Sequence, residues 1–196
     1  MNVDLLFVGD SITYGMELEP EHETYRFSHL VAKEKNLIYS NRSLSGACND
    51  WIVKTAVNFF REGNACETAI IQFSAEERWI FHDPKLKRFL NMGNAKTTNN
   101  FFTKHMRPAH TAYYRYIYTN ELAIENYWKN VFFLNEYLKE RCKTIYLTLT
   151  PPVPRNDWTP DVEIASVKTI VGESRLIGHP SKEGHQKIAN YILSKL

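Results

Sequence analysis

The stretch that decides the fold is Asp4-Leu5-Leu6-Phe7-Val8, followed at once by Gly9-Asp10-Ser11-Ile12-Thr13-Tyr14-Gly15. The apolar run is short and continuous, which is typical of a strand buried on both faces in a parallel sheet. The glycine and aspartate that follow predict a sharp turn. A serine placed directly after such a strand lies at the carboxyl edge of the sheet, where open α/β sheets bind their ligands.

Strand-like and helical patterns alternate along the rest of the chain. We predict helices from residue 24 and over 49–61 and 121–141, and strands over 37–39, 69–73 and 144–149. A weaker strand is expected within 165–171, and Ser181 is expected to cap a closing helix. This order predicts a three-layer α/β domain with a parallel sheet, and the chain shows neither repeats nor linkers, so we expect one domain over 1–196.

The segment from His82 to His110 contains two prolines and a glycine and predicts a long irregular insertion. Aromatic residues make up 13% of the chain, and many of them lie between Trp79 and Tyr137. Composition leaves three roles open for these rings: core packing, a lid, or a surface that stacks on sugars. We interpret 79–118 as a lid-like insertion within the single domain.

The composition is that of an ordinary globular protein. Lys+Arg total 24 and Asp+Glu total 22, so the net charge of +2 does not predict a nucleic-acid partner. No apolar run approaches the ~18 residues of a membrane span, and no basic segment precedes the first strand, so neither a membrane nor secretion is expected. Cys48, Cys66 and Cys142 form no C-x-x-C pair, and we expect packed free thiols in a reducing, cytoplasmic compartment.

Ser11 is the candidate nucleophile. If a helix begins at this serine, backbone N–H groups lie nearby to stabilise an oxyanion; the alternative is a turn in which Ser11 only caps the helix. His179 is the candidate base, because it lies between the last predicted strand and the closing helix, at the same edge of the sheet. His185 lies within that helix and is interpreted as structural. The remaining histidines lack metal-ligand spacing, so no metal is predicted.

Three blocks, Gly9-Asp10-Ser11-Ile12-Thr13, Gly46 and His179-Pro180, resemble in order and position the SGNH (GDSL-type) hydrolase family, and they span nearly the whole chain. The resemblance implies a flavodoxin-like α/β/α fold and ester hydrolysis that needs no cofactor. It implies Ser11 as nucleophile, His179 as general base, and the backbone N–H groups of Ser11 and Gly46 as oxyanion donors. The wider pattern around these blocks is similar to a subgroup found in phage and environmental genomes.

The chain departs from the family pattern after its third strand. The family has Gly-x-Asn-Asp there, and the Asn side chain donates to the oxyanion, whereas this chain has Ala75 in place of that Asn. Asn49, Ser74 or Arg78 could supply a replacement; losing such a donor outright would cost ~3 kcal/mol of transition-state stabilisation. Asn49 is equally consistent with a helix N-cap, and Arg78 with a surface pair to Glu76 or Glu77.

The second departure concerns the acid that orients the histidine. The family has an aspartate three residues before it, where this chain has Leu176. Glu173 is the nearest carboxylate, and a backbone carbonyl is the other group that can hold the imidazole. We therefore expect a Ser–His dyad, or a triad completed by Glu173.

The favoured function is a serine esterase acting on a small-molecule or carbohydrate ester. The family resemblance favours O-acetyl groups on carbohydrate, and rings of the insertion such as Trp79, Tyr113, Tyr114 and Tyr116 suit a sugar or an acyl chain. The alternative is a catalytically degenerate binding or virion-associated module on the same scaffold, for which the two missing polar groups argue. A phage origin would place the protein in the host cytoplasm or in a virion.

Overall fold

The computed structural model describes residues 1–18, 20–85, 87–92, 106–149, 161–176 and 178–196. The strands are β1 (Asn2–Val8), β2 (Tyr39–Asn41), β3 (Ala65–Phe73), β4 (Trp79–Asp83), β5 (Arg88–Met92), β6 (Lys143–Thr148), β7 (Ile164–Ser166), β8 (Arg175–Leu176) and β9 (His179–Pro180). The helices are α1 (Ser11–Tyr14), α2 (His22–Tyr25), α3 (Phe27–Lys35), α4 (Asn49–Arg61), α5 (Arg107–Tyr116), α6 (Asn120–Leu138), α7 (Val167–Val171) and α8 (Lys182–Lys195).

Five parallel strands form the central sheet in the spatial order β2-β1-β3-β6-β7. Numbered among themselves, these strands run 2-1-3-4-5, which is the flavodoxin-like order. In the register of the sheet, Val8 lies opposite Ile71, and Ile71 lies opposite Tyr146. The three-layer α/β fold predicted from the sequence is confirmed, and the order reverses between β1 and β3, so a crevice is expected where these two strands end.

Helices cover both faces of the sheet and produce two apolar cores. On one face, α4 and α6 bury Phe59 and Leu134 against the sheet. On the other face, Phe27 of α3 and Ile188 of α8 pack around Phe7 of β1. Burial of each such side chain contributes ~1.5–3 kcal/mol, so both faces fix the position of β1 and of the turn that follows it.

Several element boundaries differ from the sequence predictions. The second strand begins at Tyr39 rather than at residue 37. The strand predicted within 165–171 is wrong from Val167 onwards, because Ser166 ends β7 and caps α7. The Ser166 side chain accepts a hydrogen bond from the Thr169 N–H. In contrast, Ser181 caps α8 as predicted and accepts from the Gly184 N–H.

The insertion contains regular structure where an irregular segment was predicted. β4 and β5 form an antiparallel hairpin, and the prediction for 93–105 falls outside the described residues. The rings of Trp79 and Phe81 lie 5.3 and 5.1 Å from that of Tyr113 on α5, with edge-on geometry. These tertiary contacts stabilise a hairpin that local residue preferences do not reveal. Within the described ranges, every helix is too short or too polar to span a bilayer.

Candidate active site

Ser11 is the first residue of α1 and follows β1 at the carboxyl edge of the sheet. Asp10 caps this helix, since its Oδ1 accepts a hydrogen bond from the Ile12 N–H at 3.0 Å. Gly15 ends it after one turn with φ of 86°, a left-handed conformation that favours glycine. The Ser11 side chain is thus held at the start of a short, rigid turn.

His179 reaches the same edge from the other end of the chain. It lies on β9, where it pairs with Leu176 of β8, just before the Ser181 cap of α8. Its Nε2 lies 2.9 Å from the Ser11 Oγ, although 168 residues separate the two positions. When Nδ1 carries the ring hydrogen, Nε2 accepts the serine proton, which is the geometry that a general base requires.

The carboxylate of Asp10 is buried and accepts hydrogen bonds at both oxygens. In addition to the helix cap, its Oδ2 accepts from the Ser74 hydroxyl at 2.7 Å and from Arg78 Nη1 at 3.1 Å. Only 1% of the Asp10 side chain is exposed, against 24% of the Arg78 side chain. Arg78, for which the sequence also allowed a surface pair, therefore has a buried carboxylate as its partner.

Asn49 and Ser74 connect the start of α4 to the end of β3. Asn49 Oδ1 accepts from the Ser74 N–H at 2.8 Å, and its Nδ2 donates to the Ser74 carbonyl at 3.3 Å. The N-cap of α4 is Cys48, so Asn49 is not the cap that the sequence left as an alternative. Both polar side chains are almost fully buried next to the Asp10 carboxylate, and their catalytic roles stay predictions.

Gly46 lies in a tight turn beside the Ser11 turn. The Ala47 N–H donates to the Leu44 carbonyl at 3.0 Å, and Gly46 has φ of 78°, which the turn requires. The Leu44 N–H in turn donates to the Gly9 carbonyl at 3.1 Å. The N–H groups of Ser11 and Gly46 donate no hydrogen bond to any residue that the structure describes, so both can be offered to a ligand.

Gln72, which the sequence predictions did not include, fixes the Ser11 turn from the neighbouring strand. This fully buried side chain accepts hydrogen bonds through Oε1 from the Asp10 N–H at 3.1 Å and from the Thr13 hydroxyl at 3.0 Å. A Cβ on Gly9 would lie 2.2 Å from the Thr13 hydroxyl oxygen and 2.9 Å from Gln72 Oε1, so only glycine fits there. A glutamine within the apolar stretch 69–73 was the signal available in the sequence.

Glu173 lies in the turn after α7, and the structure describes it as exposed. Its assignment as the third catalytic residue stays a prediction. Among the described residues, no group of three or more His, Cys, Asp or Glu side chains is arranged to hold a metal ion. The cysteines are packed thiols: Cys48 and Cys66 are buried, and Cys142 is half-buried.

The insertion borders the site on the side of Gly46 and Arg78. Asn91 of β5 accepts from the Cys48 N–H at 3.1 Å through its Oδ1. The Tyr114 hydroxyl donates to the Glu77 carbonyl at 2.7 Å, one residue before Arg78. Tyr113 is buried inside the insertion, whereas Tyr116 is 72% exposed, so the four rings singled out in the sequence do not form one surface.

His185 has a structural role in the closing helix, as expected. It is 1% exposed, its Nδ1 accepts from the Phe27 N–H at 3.2 Å, and its ring stacks on that of Phe27. Burial, together with the charge of nearby His179, lowers the pKa of His185 from 6.5 to about 4. The imidazole is therefore neutral in the folded protein at neutral pH.

We expect His185 to make the protein acid-sensitive. As pH falls from 6.5 towards 4, the unfolded chain takes up a proton at this residue before the folded chain does, so the free energy of unfolding falls by ~3 kcal/mol. Denaturant titrations at pH 7 and pH 4.5 measure this loss. His185→Asn, which keeps an acceptor for the Phe27 N–H but does not titrate, should lose less stability over that interval; equal losses in the two proteins would contradict the prediction.

The fold is shared with solved structures of lipolytic proteins and esterases. The chain aligns with a member of the lipolytic G-D-S-L family from Veillonella parvula over 99% of its length and 97% of the other, with 12% identity and a TM-score of 0.56. It aligns with the esterase EstA from Pseudoalteromonas sp. over 97% and 94%, with 12% identity and a TM-score of 0.55.

A third similar structure is an acetyl xylan esterase from the rumen bacterium Butyrivibrio proteoclasticus, with 14% identity and a TM-score of 0.58. That alignment covers 98% of this chain and 63% of the other. No protein-family model and no curated protein sequence matches the chain. The chain therefore has the fold of the SGNH/GDSL-type hydrolases, and the resemblance seen in the sequence is confirmed at the level of the fold.

Proposed function

We propose that this protein is a serine esterase that hydrolyses a carboxylic ester with Ser11 and His179. The 2.9 Å contact between Ser11 Oγ and His179 Nε2 supports this most directly, because a general base must lie within hydrogen-bond reach of the proton it removes. The esterase names of the similar structures support an ester substrate, with O-acetyl groups on carbohydrate as one candidate.

In this mechanism His179 takes the proton of Ser11 while Oγ attacks the carbonyl carbon of the ester. The tetrahedral oxyanion is bound by the N–H groups of Ser11 and Gly46, and His179 then passes its proton to the departing alcohol. Water, deprotonated by His179, attacks the acyl-enzyme; the bond between the acyl carbon and Ser11 Oγ then breaks, His179 returns its proton to Oγ, and the carboxylic acid leaves. Ser11 is regenerated, and the reaction consumes only ester and water.

Arg78 is the replacement oxyanion donor that we favour. The hydroxyl hydrogen of Ser74 is donated to Asp10, and the Asn49 side-chain amide is engaged with the Ser74 backbone. Arg78 uses Nη1 for its contacts with Asp10, Ser74 and the Ala47 carbonyl, whereas a guanidinium has five N–H donors. Its Nε and Nη2 groups donate to none of the described residues, so they supply the donors for this role.

The proposal is tested with an aryl acetate and a fluorophosphonate probe. The wild-type protein should turn over the ester about 10³-fold or more faster than Ser11→Ala, and the probe should label Ser11. Ser194→Ala, which removes a serine from the far end of α8, should match the wild type. Equal background turnover in wild type and Ser11→Ala, with Ser11 unlabelled, would instead support the non-catalytic binding module.

A further inference from the structure

An apolar cavity of about 230 Å³ is lined in part by the chain neighbours of Ser11 and His179. We call it the α7 cavity, and the described residues that line it are Ile12, Leu149, Val167, Lys168, Val171, Gly178 and Pro180. Apart from Lys168, the side chains in this set are apolar. A larger cavity of about 410 Å³ opens at the opposite end of β6, next to Lys143, and so does not adjoin the pair.

The residues that line the α7 cavity include chain neighbours of Ser11 and His179 and a residue at the end of β6. Ile12 directly follows Ser11, and Gly178 and Pro180 lie on either side of His179. Leu149 directly follows the last residue of β6, at the carboxyl edge of the sheet where Ser11 also lies. These neighbours place the cavity at the same edge of the sheet as the Ser11 hydroxyl and the His179 imidazole.

We propose that the α7 cavity binds the acyl chain of the ester, and that the preferred acyl group has about four to six carbons. This inference rests on the proposed esterase function. An apolar cavity of about 150 Å³ binds benzene, so about 230 Å³ accommodates a chain of similar carbon number, and an acetyl group would leave most of it empty.

The composition of the cavity favours the acyl chain over a sugar. Burying sugar hydroxyls requires hydrogen-bonding partners, and the described lining offers only the Lys168 side chain. Alkyl groups require no such partners and gain from leaving water. A polar alcohol portion instead fits the other side of the site, where Arg78 and the insertion provide polar and aromatic groups.

The test varies each half of the ester in turn. With p-nitrophenyl acetate, butanoate and hexanoate, kcat/KM should rise by about fourfold for each methylene that the cavity buries, to roughly 10²-fold for hexanoate. Leu149 is half-buried, so Leu149→Trp can fill the cavity and should lower the hexanoate-to-acetate ratio at least about tenfold. Leu149→Ala should shift the optimum to longer chains. Leu37→Ala, which truncates another half-buried leucine of the same core, should keep the wild-type ratio.

The outcomes separate this inference from the function on which it rests. If acetate is hydrolysed but chain length has no effect, or if both Leu149 variants keep the wild-type ratio, the α7 cavity is not the acyl site although the esterase proposal stands. If chain length matters only in the alcohol, in a series from ethyl to hexyl acetate, the assignment to the acyl half is wrong. If no ester is hydrolysed and an alkyl fluorophosphonate fails to label Ser11, the esterase function fails, and this inference with it.

Discussion

Replacing His179 by alanine is expected to lower kcat/KM for an aryl ester about 10⁴-fold and to leave the fold intact. The loss follows because the Ser11 hydroxyl then has no imidazole at 2.9 Å to take its proton. The side chain is only half-buried, so its removal creates no large cavity in the core. Steady-state kinetics and thermal unfolding of the same preparation measure both parts of the prediction. Partial recovery of the rate with added imidazole would identify the missing group as the base.

Two further variants complete this experiment: one is a control for the loss of a histidine, and the other tests whether a carboxylate assists His179. His29→Ala removes another half-buried histidine, on α3, and should keep the wild-type rate. Glu173→Gln distinguishes a triad from a dyad: a large loss of kcat indicates that this carboxylate orients the imidazole, and a change below about threefold indicates the dyad. A His179→Ala protein that retains wild-type kcat/KM would exclude His179 as the base.

Replacing Arg78 by methionine is expected to lower the free energy of unfolding by ~3 kcal/mol and to reduce esterase activity as well. The Asp10 carboxylate is 1% exposed and would lose its cationic partner while remaining buried. Because the same carboxylate caps α1, any movement of Asp10 displaces Ser11. Denaturant unfolding gives the stability change, and kcat/KM on the aryl ester gives the effect on the site.

Two comparison variants test whether the loss of stability in Arg78→Met comes from the buried ion pair between Asp10 and Arg78. Arg42→Met breaks an exposed pair with Glu62, at 3.8 Å, and should cost at most ~1 kcal/mol. In Asp10→Asn/Arg78→Met neither charge remains, so this double variant should be more stable than the sum of the single changes predicts. Additive effects, or an Arg78→Met protein as stable as Arg42→Met, would show that the ion pair does not hold the Ser11 turn.

Local patterns identified the sheet and the two ends of the candidate site. A buried strand before Ser11 and a capped helix after His179 are properties of short segments, and a parallel sheet brings such segments to one edge. The hairpin of β4 and β5 escaped prediction because its stability depends on aromatic contacts with α5, far along the chain.

The hydrogen-bond and ion-pair partners of the polar residues at the site could not be predicted from the sequence either. The sequence places Arg78 next to Glu76 and Glu77, and nothing local shows that it instead pairs with Asp10, 68 residues away. Gln72 interrupts an apolar strand and was a visible signal, yet its partners lie in the turn that follows another strand. Such contacts follow from the strand order, which must be known before they can be assigned.

The long separation between Ser11 and His179 also has a consequence during protein synthesis. A ribosome adds Ser11 to the growing chain 168 residues before it adds His179. On the proposed mechanism, a nascent polypeptide that still lacks His179 contains an unactivated serine and does not cleave esters. On the same mechanism, ester hydrolysis begins only after the segment that contains His179 has left the exit tunnel and docked beside Ser11, so turnover reports the folding of that segment.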